Sequence, residues 1–151
     1  MIQGKLGDCW LLAALSALAT QPGALDQVLI PGQSLRQERG YCGVFRFRFW
    51  QYGDWVEVVI DDQLPCTRDA RLAFIHSDSD TEFWSPLLEK AFAKLHGSYE
   101  GIEGGMPIEA MVDLTGGLAE RYELKHSDTH KTLYKYLRKS FASQVRFLTI
   151  T

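Results

Sequence analysis

QGKLGDCWLLAALSALAT, residues 3–20, is the stretch that decides how this chain is read. Asp8 is a good helix N-cap, and the Leu/Ala run after it holds no proline, so a helix is predicted to start at or beside Cys9. Unpaired N–H groups and the helix dipole favour negative charge at that end, and the thiolate is the nucleophilic form of cysteine. From Trp10 through Leu11, Leu12, Ala13, Ala14, Leu15, Ala17 and Leu18 the helix is apolar on nearly every face. It is expected to run through the core with only its start in solvent. Gln3 precedes Cys9 by six positions across a loop holding Gly4 and Gly7. Glycines there let the backbone fold the amide back toward the thiol, where its NH2 would stabilise an oxyanion during acyl transfer. The alternative is a buried, inert cysteine in an apolar helix. The position at a helix start and the Gln-Gly-Gly-Asp context weigh against it.

The composition is that of an ordinary globular chain: 151 residues, 46% hydrophobic and 23% charged, are enough for one core. A net charge of −3 and the absence of a Lys/Arg run argue against nucleic acid as a partner. The Leu/Ala helix is short for a bilayer and interrupted by Ser16, so no membrane-spanning segment is expected. Three cysteines, Cys9, Cys42 and Cys66, lie far apart with no CxxC and no His at zinc-ligand spacing. They suit reduced thiols in the cytoplasm.

Along the chain, Gln21–Ala24 reads as a turn and Leu25–Ile30 as a short helix stopped by Pro31-Gly32. Tyr41 to Trp50 alternates, with Phe45, Phe47 and Phe49 on one face. Gln51-Tyr52-Gly53-Asp54 supplies a turn, and Trp55 to Asp61 alternates again with Val56, Val58 and Ile60 inward, giving an antiparallel hairpin. Arg71 to His76 is expected to add a third strand. Glu82 to Leu95 carries Phe83, Leu87, Leu88, Ala91, Phe92 and Leu95 at helical spacing, with Pro86 tolerable in its first turn. Pro107 to Leu114 reads as a helix between a starting Pro and Gly116-Gly117. Leu118–Leu124 is expected as a strand. A last helix, capped by Asp128 or Thr129, would bear Leu133, Tyr136, Leu137 and Phe141, with Val145–Ile150 extended after it. The fold class is α+β, helices around a small antiparallel sheet.

The wording QGKLGDCWLLAA strongly resembles the calpain family of papain-like cysteine proteases. GVFRFRFWQYGDWVEVVIDDQLP, HSDSDTEFWSPLLEKAFAKLHGSYE and EGGMPIEAMVDLTGG resemble successive blocks of the same protease core. The likeness runs roughly to Leu124 and fades over YKYLRKSFASQVRFLTIT. It implies one papain-like lobe, the nucleophile-bearing half of a two-lobed core that cleaves protein substrates as a calcium-dependent cysteine endopeptidase. By that resemblance Cys9 is the nucleophile, and Gln3 with the Cys9 N–H forms the oxyanion hole. Gly104-Gly105 is the strip along which the substrate backbone pairs, and Glu82 matches a calcium ligand. Glycine suits such a strip because a side chain would hold the substrate away, and a carboxylate suits calcium. Taken without the family, Gly104-Gly105 also reads as a turn before the Pro107 helix, and Glu82 as a carboxylate at a helix N-terminus.

In the family the base is a His of the second lobe, followed by an Asn. None of His76, His96, His126 and His130 has that context, and the sequence contains no Asn. The four histidines are therefore read as structural or surface residues. The second lobe is expected on a longer chain or in trans, and this stretch alone is expected to be inactive. The family's other calcium ligands in this lobe lie upstream of the match to Gln3, so calcium is expected of a complete protein, with the site incomplete here. A different class stays open, a non-catalytic lobe acting as a protein-binding or regulatory module.

Overall fold

The computed structural model describes residues 1–36, 41–79, 81–122, 133–135 and 137–139. It divides into two compact units, Met1–Gly117 and Leu118–Thr151. In the first, α1 (Cys9–Ala19) is followed by β1 (Val44–Gln51), β2 (Asp54–Asp61), α2 (Trp84–Leu95), a single 3-10 turn (Glu100–Ile102) and α3 (Pro107–Thr115). In the second, residues 133–135 and 137–139 are helical, where the sequence predicts the last helix, and Leu118–Tyr122 is irregular rather than a strand. The extended piece expected at Val145–Ile150 lies outside the described residues.

α1 starts at Cys9 because Asp8 turns the chain and its carbonyl accepts from Leu11 N and Leu12 N at 3.0 and 3.1 Å. Trp10, Leu11, Ala14, Leu15 and Leu18 are buried. The helix is not covered all round, since Cys9, Ala13, Ser16 and Thr20, spaced four, three and four apart, form an exposed stripe. Small side chains fill that stripe, so their exposure sacrifices little apolar burial. Leu25–Ile30 is a run of turns rather than a helix, closed by Val28 N and Leu29 N on Leu25 O at 3.0 and 2.8 Å. Leu29 then bridges Phe47 and Arg48 N donates to Val28 O, so this segment lines the free edge of β1.

The expected hairpin forms, pairing from Val44 opposite Asp61 to Gln51 opposite Asp54. Its two-residue turn places Tyr52 and Gly53 at φ of 52° and 91°, the left-handed pair that matches strand twist. Phe45, Phe47, Phe49, Val58 and Ile60 are buried. Val56, expected to face inward, is exposed although it stands opposite the buried Phe49. Among the described residues the sheet has two strands. Arg71–His76 is not a third strand but contributes isolated bridges, Leu72 to Cys66 and His76 to Ile2.

α2 packs on both strands, while α3 packs on β1 and α1. Phe92 of α2 meets the edge of Phe49 at 5.3 Å and of Trp10 at 5.8 Å, joining helix, sheet and the start of α1 in one aromatic cluster. Pro86 sits in the first turn of α2, where its missing N–H costs nothing. α3 starts on Pro107 and stops at Gly116, whose φ of 68° gives the left-handed C-cap.

Candidate active site

Residues 1–9 form a loop clamped on the segment before α2. Ile2 and His76 exchange hydrogen bonds of 2.7 and 3.0 Å, and Lys5 N donates to Ala73 O at 2.9 Å. Gly4 is required by that clamp, since a Cβ there would lie 2.4 Å from Phe74 Cα and from its carbonyl oxygen. Gln3 is held at the surface and its amide donates to Leu6 O at 2.9 Å, within its own loop. The loop ends at Asp8 and Cys9. Cys9 is exposed as the first residue of α1, a position whose N–H has no intrahelical acceptor. Asp8 occupies the cap position but its carboxylate makes no cap bond. It is fully buried and turned toward Glu89 of α2.

Gly104-Gly105 is locked beside this loop. Gly104 N donates to Gly7 O at 2.9 Å, and Trp10, the neighbour of Cys9, donates from Nε1 to Ile102 O at 2.9 Å. Gly105 lies on the Trp10 ring so closely that a Cβ would stand 2.5 Å from Cε2. Gly104 has φ of 76° with open space around it. The two glycines are thus more than a turn before α3. One meets a conformational demand and the other a close approach, and together they leave a strip bare of side chains next to the Cys9 loop.

Cys9, Cys42 and Cys66 are all free and exposed, so exposure does not single out Cys9. Its helix-start position between the Gln3 loop and the glycine strip does. His76 and His96 have their Nδ1 atoms bonded to Phe74 O and Phe92 O at 2.9 and 3.0 Å, and His96 Nε2 stands 4.0 Å from Asp113 Oδ2. Both rings serve local structure. His126 and His130 lie outside the described residues.

Glu82 belongs to a different locality. It accepts from the Ser77 hydroxyl and from Trp84 Nε1, each at 2.6 Å, and these bonds hold its carboxyl below the usual carboxylate range. Among the described residues there is no group of three His, Cys, Asp or Glu side chains placed to hold a metal. One exposed carboxylate already bonded to two donors does not fit a calcium site, which takes six to eight oxygens as a rule.

Three features of the site had no place in the sequence reading: the burial of Asp8, its partner Glu89, and the Trp10 anchor on Ile102. A signal for Glu89 was present. It falls four residues after Ser85 and three before Phe92, on the side of α2 that packs inward.

Comparison with known proteins agrees with this geometry. The family model of the calpain family cysteine proteases matches residues 1–150, past Leu124 and through the C-terminal stretch where the wording of the sequence departs from the family. Rat calpain-9 is 52% identical over 139 residues, covering 91% of this chain and 20% of that protein. The mouse calpain-2 catalytic subunit is 51% identical over 138 residues, 91% of this chain and 19% of its own length. Human calpain-9 is 52% identical over 138 residues. The chain therefore spans about a fifth of the length of these relatives. With a family match over nearly its whole length and the Cys9 helix start set between a glutamine loop and a glycine strip, the chain belongs to the calpain family of cysteine proteases.

Proposed function

We propose that this chain is the nucleophile-bearing lobe of a calcium-dependent cytoplasmic endopeptidase that acts on protein substrates together with a second lobe. The observation that carries the reading is the exposed Cys9 thiol on the first turn of α1, with the bare Gly104-Gly105 strip fixed beside it through Gly7 and Trp10. An extended peptide laid along the strip meets backbone rather than side chains, so recognition is of main chain.

The Cys9 thiolate attacks the scissile carbonyl carbon and the carbonyl electron pair moves onto oxygen. The Cys9 N–H and the Gln3 NH2 donate to that oxyanion. For this the Gln3 amide leaves Leu6 O or donates its second hydrogen. Collapse of the adduct breaks the C–N bond; the leaving amine takes a proton from the imidazolium of the second lobe, and water then hydrolyses the thioester. His76 and His96 are committed to backbone carbonyls, which supports a base from outside this stretch. Glu82 alone does not make a calcium site among the described residues. Calcium dependence belongs to the complete protein.

The test mixes the chain with a separately produced calpain second lobe and follows hydrolysis of a fluorogenic peptide with and without calcium. Calcium-dependent turnover that disappears in Cys9→Ala is expected, with none from the chain by itself. Turnover that persists in Cys9→Ala refutes the assignment of the nucleophile, and Cys9-dependent turnover by the pure chain refutes the need for a second lobe.

A further inference from the structure

Two carboxylates are buried together beneath the Cys9 loop, and the mechanism uses neither. Asp8 is 0% and Glu89 1% exposed. Glu89 Oε2 accepts from Ile75 N at 3.0 Å. With both groups ionised, Glu89 Oε1 and both Asp8 oxygens have no donor among the described residues. Two unpaired negative charges in a buried site are far costlier than one carboxyl that keeps its proton and donates it to the other. Burial, then Asp8, pushes the Glu89 carboxyl up to about 9, against a smaller downward pull from the Ile75 N–H. Among the described residues Tyr99 also faces it, its hydroxyl itself raised by burial and then by Glu89. Lys90, next in α2, is turned away to Asp61 and Gln63 O, so no cation relieves the pair from that side.

The connectivity gives this proton a job. Ile75 precedes His76, the residue that bridges Ile2 at the entry of the Gln3 loop, and Asp8 closes the same loop at Cys9. Glu89 reaches both. We infer that Glu89 is a positioning residue: a single proton shared with Asp8 ties both ends of the Gln3 loop to α2 and so fixes Gln3 in register with Cys9. The consequence for catalysis rests on the proposed roles of Cys9 and Gln3, whereas the proton itself does not.

The experiment is an NMR titration of the full chain from pH 5 to 10, following the Glu89 and Asp8 carboxyl carbons and the amide nitrogens of Ile2, Ile75, His76 and Cys9. The Glu89 carbon is expected to titrate with a midpoint near 9, far above its ordinary value of 4.5. The amides should shift at the same midpoint. Glu89→Gln keeps an acceptor for Ile75 and a donor for Asp8 without a titrating proton; it should remove that inflection and leave the neutral-pH amide positions in place. Glu89→Ala should displace them. A Glu89 carbon that titrates in the ordinary carboxylate range overturns the inference, as does an inflection that survives Glu89→Gln. If either variant does not fold, the wild-type carboxyl titration decides by itself. No substrate is involved, so absence of proteolysis would leave this result standing, and an ordinary Glu89 would leave the reading of Cys9 standing.

Discussion

Gly105→Ala tests whether the glycine strip is bare because of packing or merely because the chain turns there. The new Cβ would lie 2.5, 2.7 and 2.8 Å from Cε2, Cδ2 and Cζ2 of Trp10. Carbon atoms settle near 3.5–4.0 Å, so the indole must retreat by roughly 1 Å. It has nowhere easy to go, since Nε1 is bonded to Ile102 O at 2.9 Å and the ring meets Phe92 at 5.8 Å. A strained buried hydrogen bond costs about 1–3 kcal/mol and overpacking about the same, with overlap between them, so the net loss should be roughly 2–4 kcal/mol. Gly104→Ala is the internal control, because its Cβ meets nothing within 4 Å and only the φ of 76° resists it, a cost of about 1–2 kcal/mol. Urea unfolding followed by tryptophan fluorescence reads both. Gly105→Ala should be the less stable of the two, with a melting point roughly 10 °C below wild type. If it unfolds within ~0.5 kcal/mol of wild type, or if Gly104→Ala is the more damaging, the close approach of strip and indole is wrong.

Trp10→Phe keeps the ring contact with Phe92 but strands the Ile102 carbonyl, and should cost about 1–3 kcal/mol by the same assay. The folded chain holds a proton on Glu89 that the unfolded chain gives up above 4.5. Stability from this group is therefore complete below that pH and falls as pH rises toward about 9, by about 1.4 kcal/mol per pH unit at most. Urea midpoints at pH 6 and pH 8 should converge in Glu89→Gln and separate in wild type; equal separation in both would refute the linkage. Glu82→Ala should change stability by no more than ~0.5 kcal/mol, since the side chain is exposed. Millimolar calcium should not raise the melting point of the chain alone; a rise that Glu82→Ala abolishes would show a complete site on these residues.

Where local chemistry dictates the outcome, the sequence was sufficient. The cap and the Leu/Ala run place the start of α1 at Cys9, the Tyr52-Gly53 turn sets the hairpin register, and Pro107 and Gly116 bound α3. It failed where a short apolar segment had to choose between partners. Leu25–Ile30 has helical spacing but spends its backbone on turns and on the edge of β1, and Arg71–His76 has strand composition but pairs with residues 2–5 only at isolated bonds.

Cys9 as the first residue of α1 was legible from the local pattern, whereas Gln3 on its glycine loop and Gly104-Gly105 as a strip were carried by the family wording. Asp8 shows the limit. Its type and position promised a side-chain cap, and the promise failed because the carboxylate found Glu89, eighty-one positions later, in the core. The sequence by itself determined the main helices, the hairpin and the family, since these rest on contacts within a few residues or on long specific wording. The tertiary structure alone decided that Gly105 lies on Trp10, that Gly7 holds Gly104, and that two distant carboxylates are buried side by side. Such contacts depend on which surfaces meet when the helices close over the hairpin, and no local pattern records that.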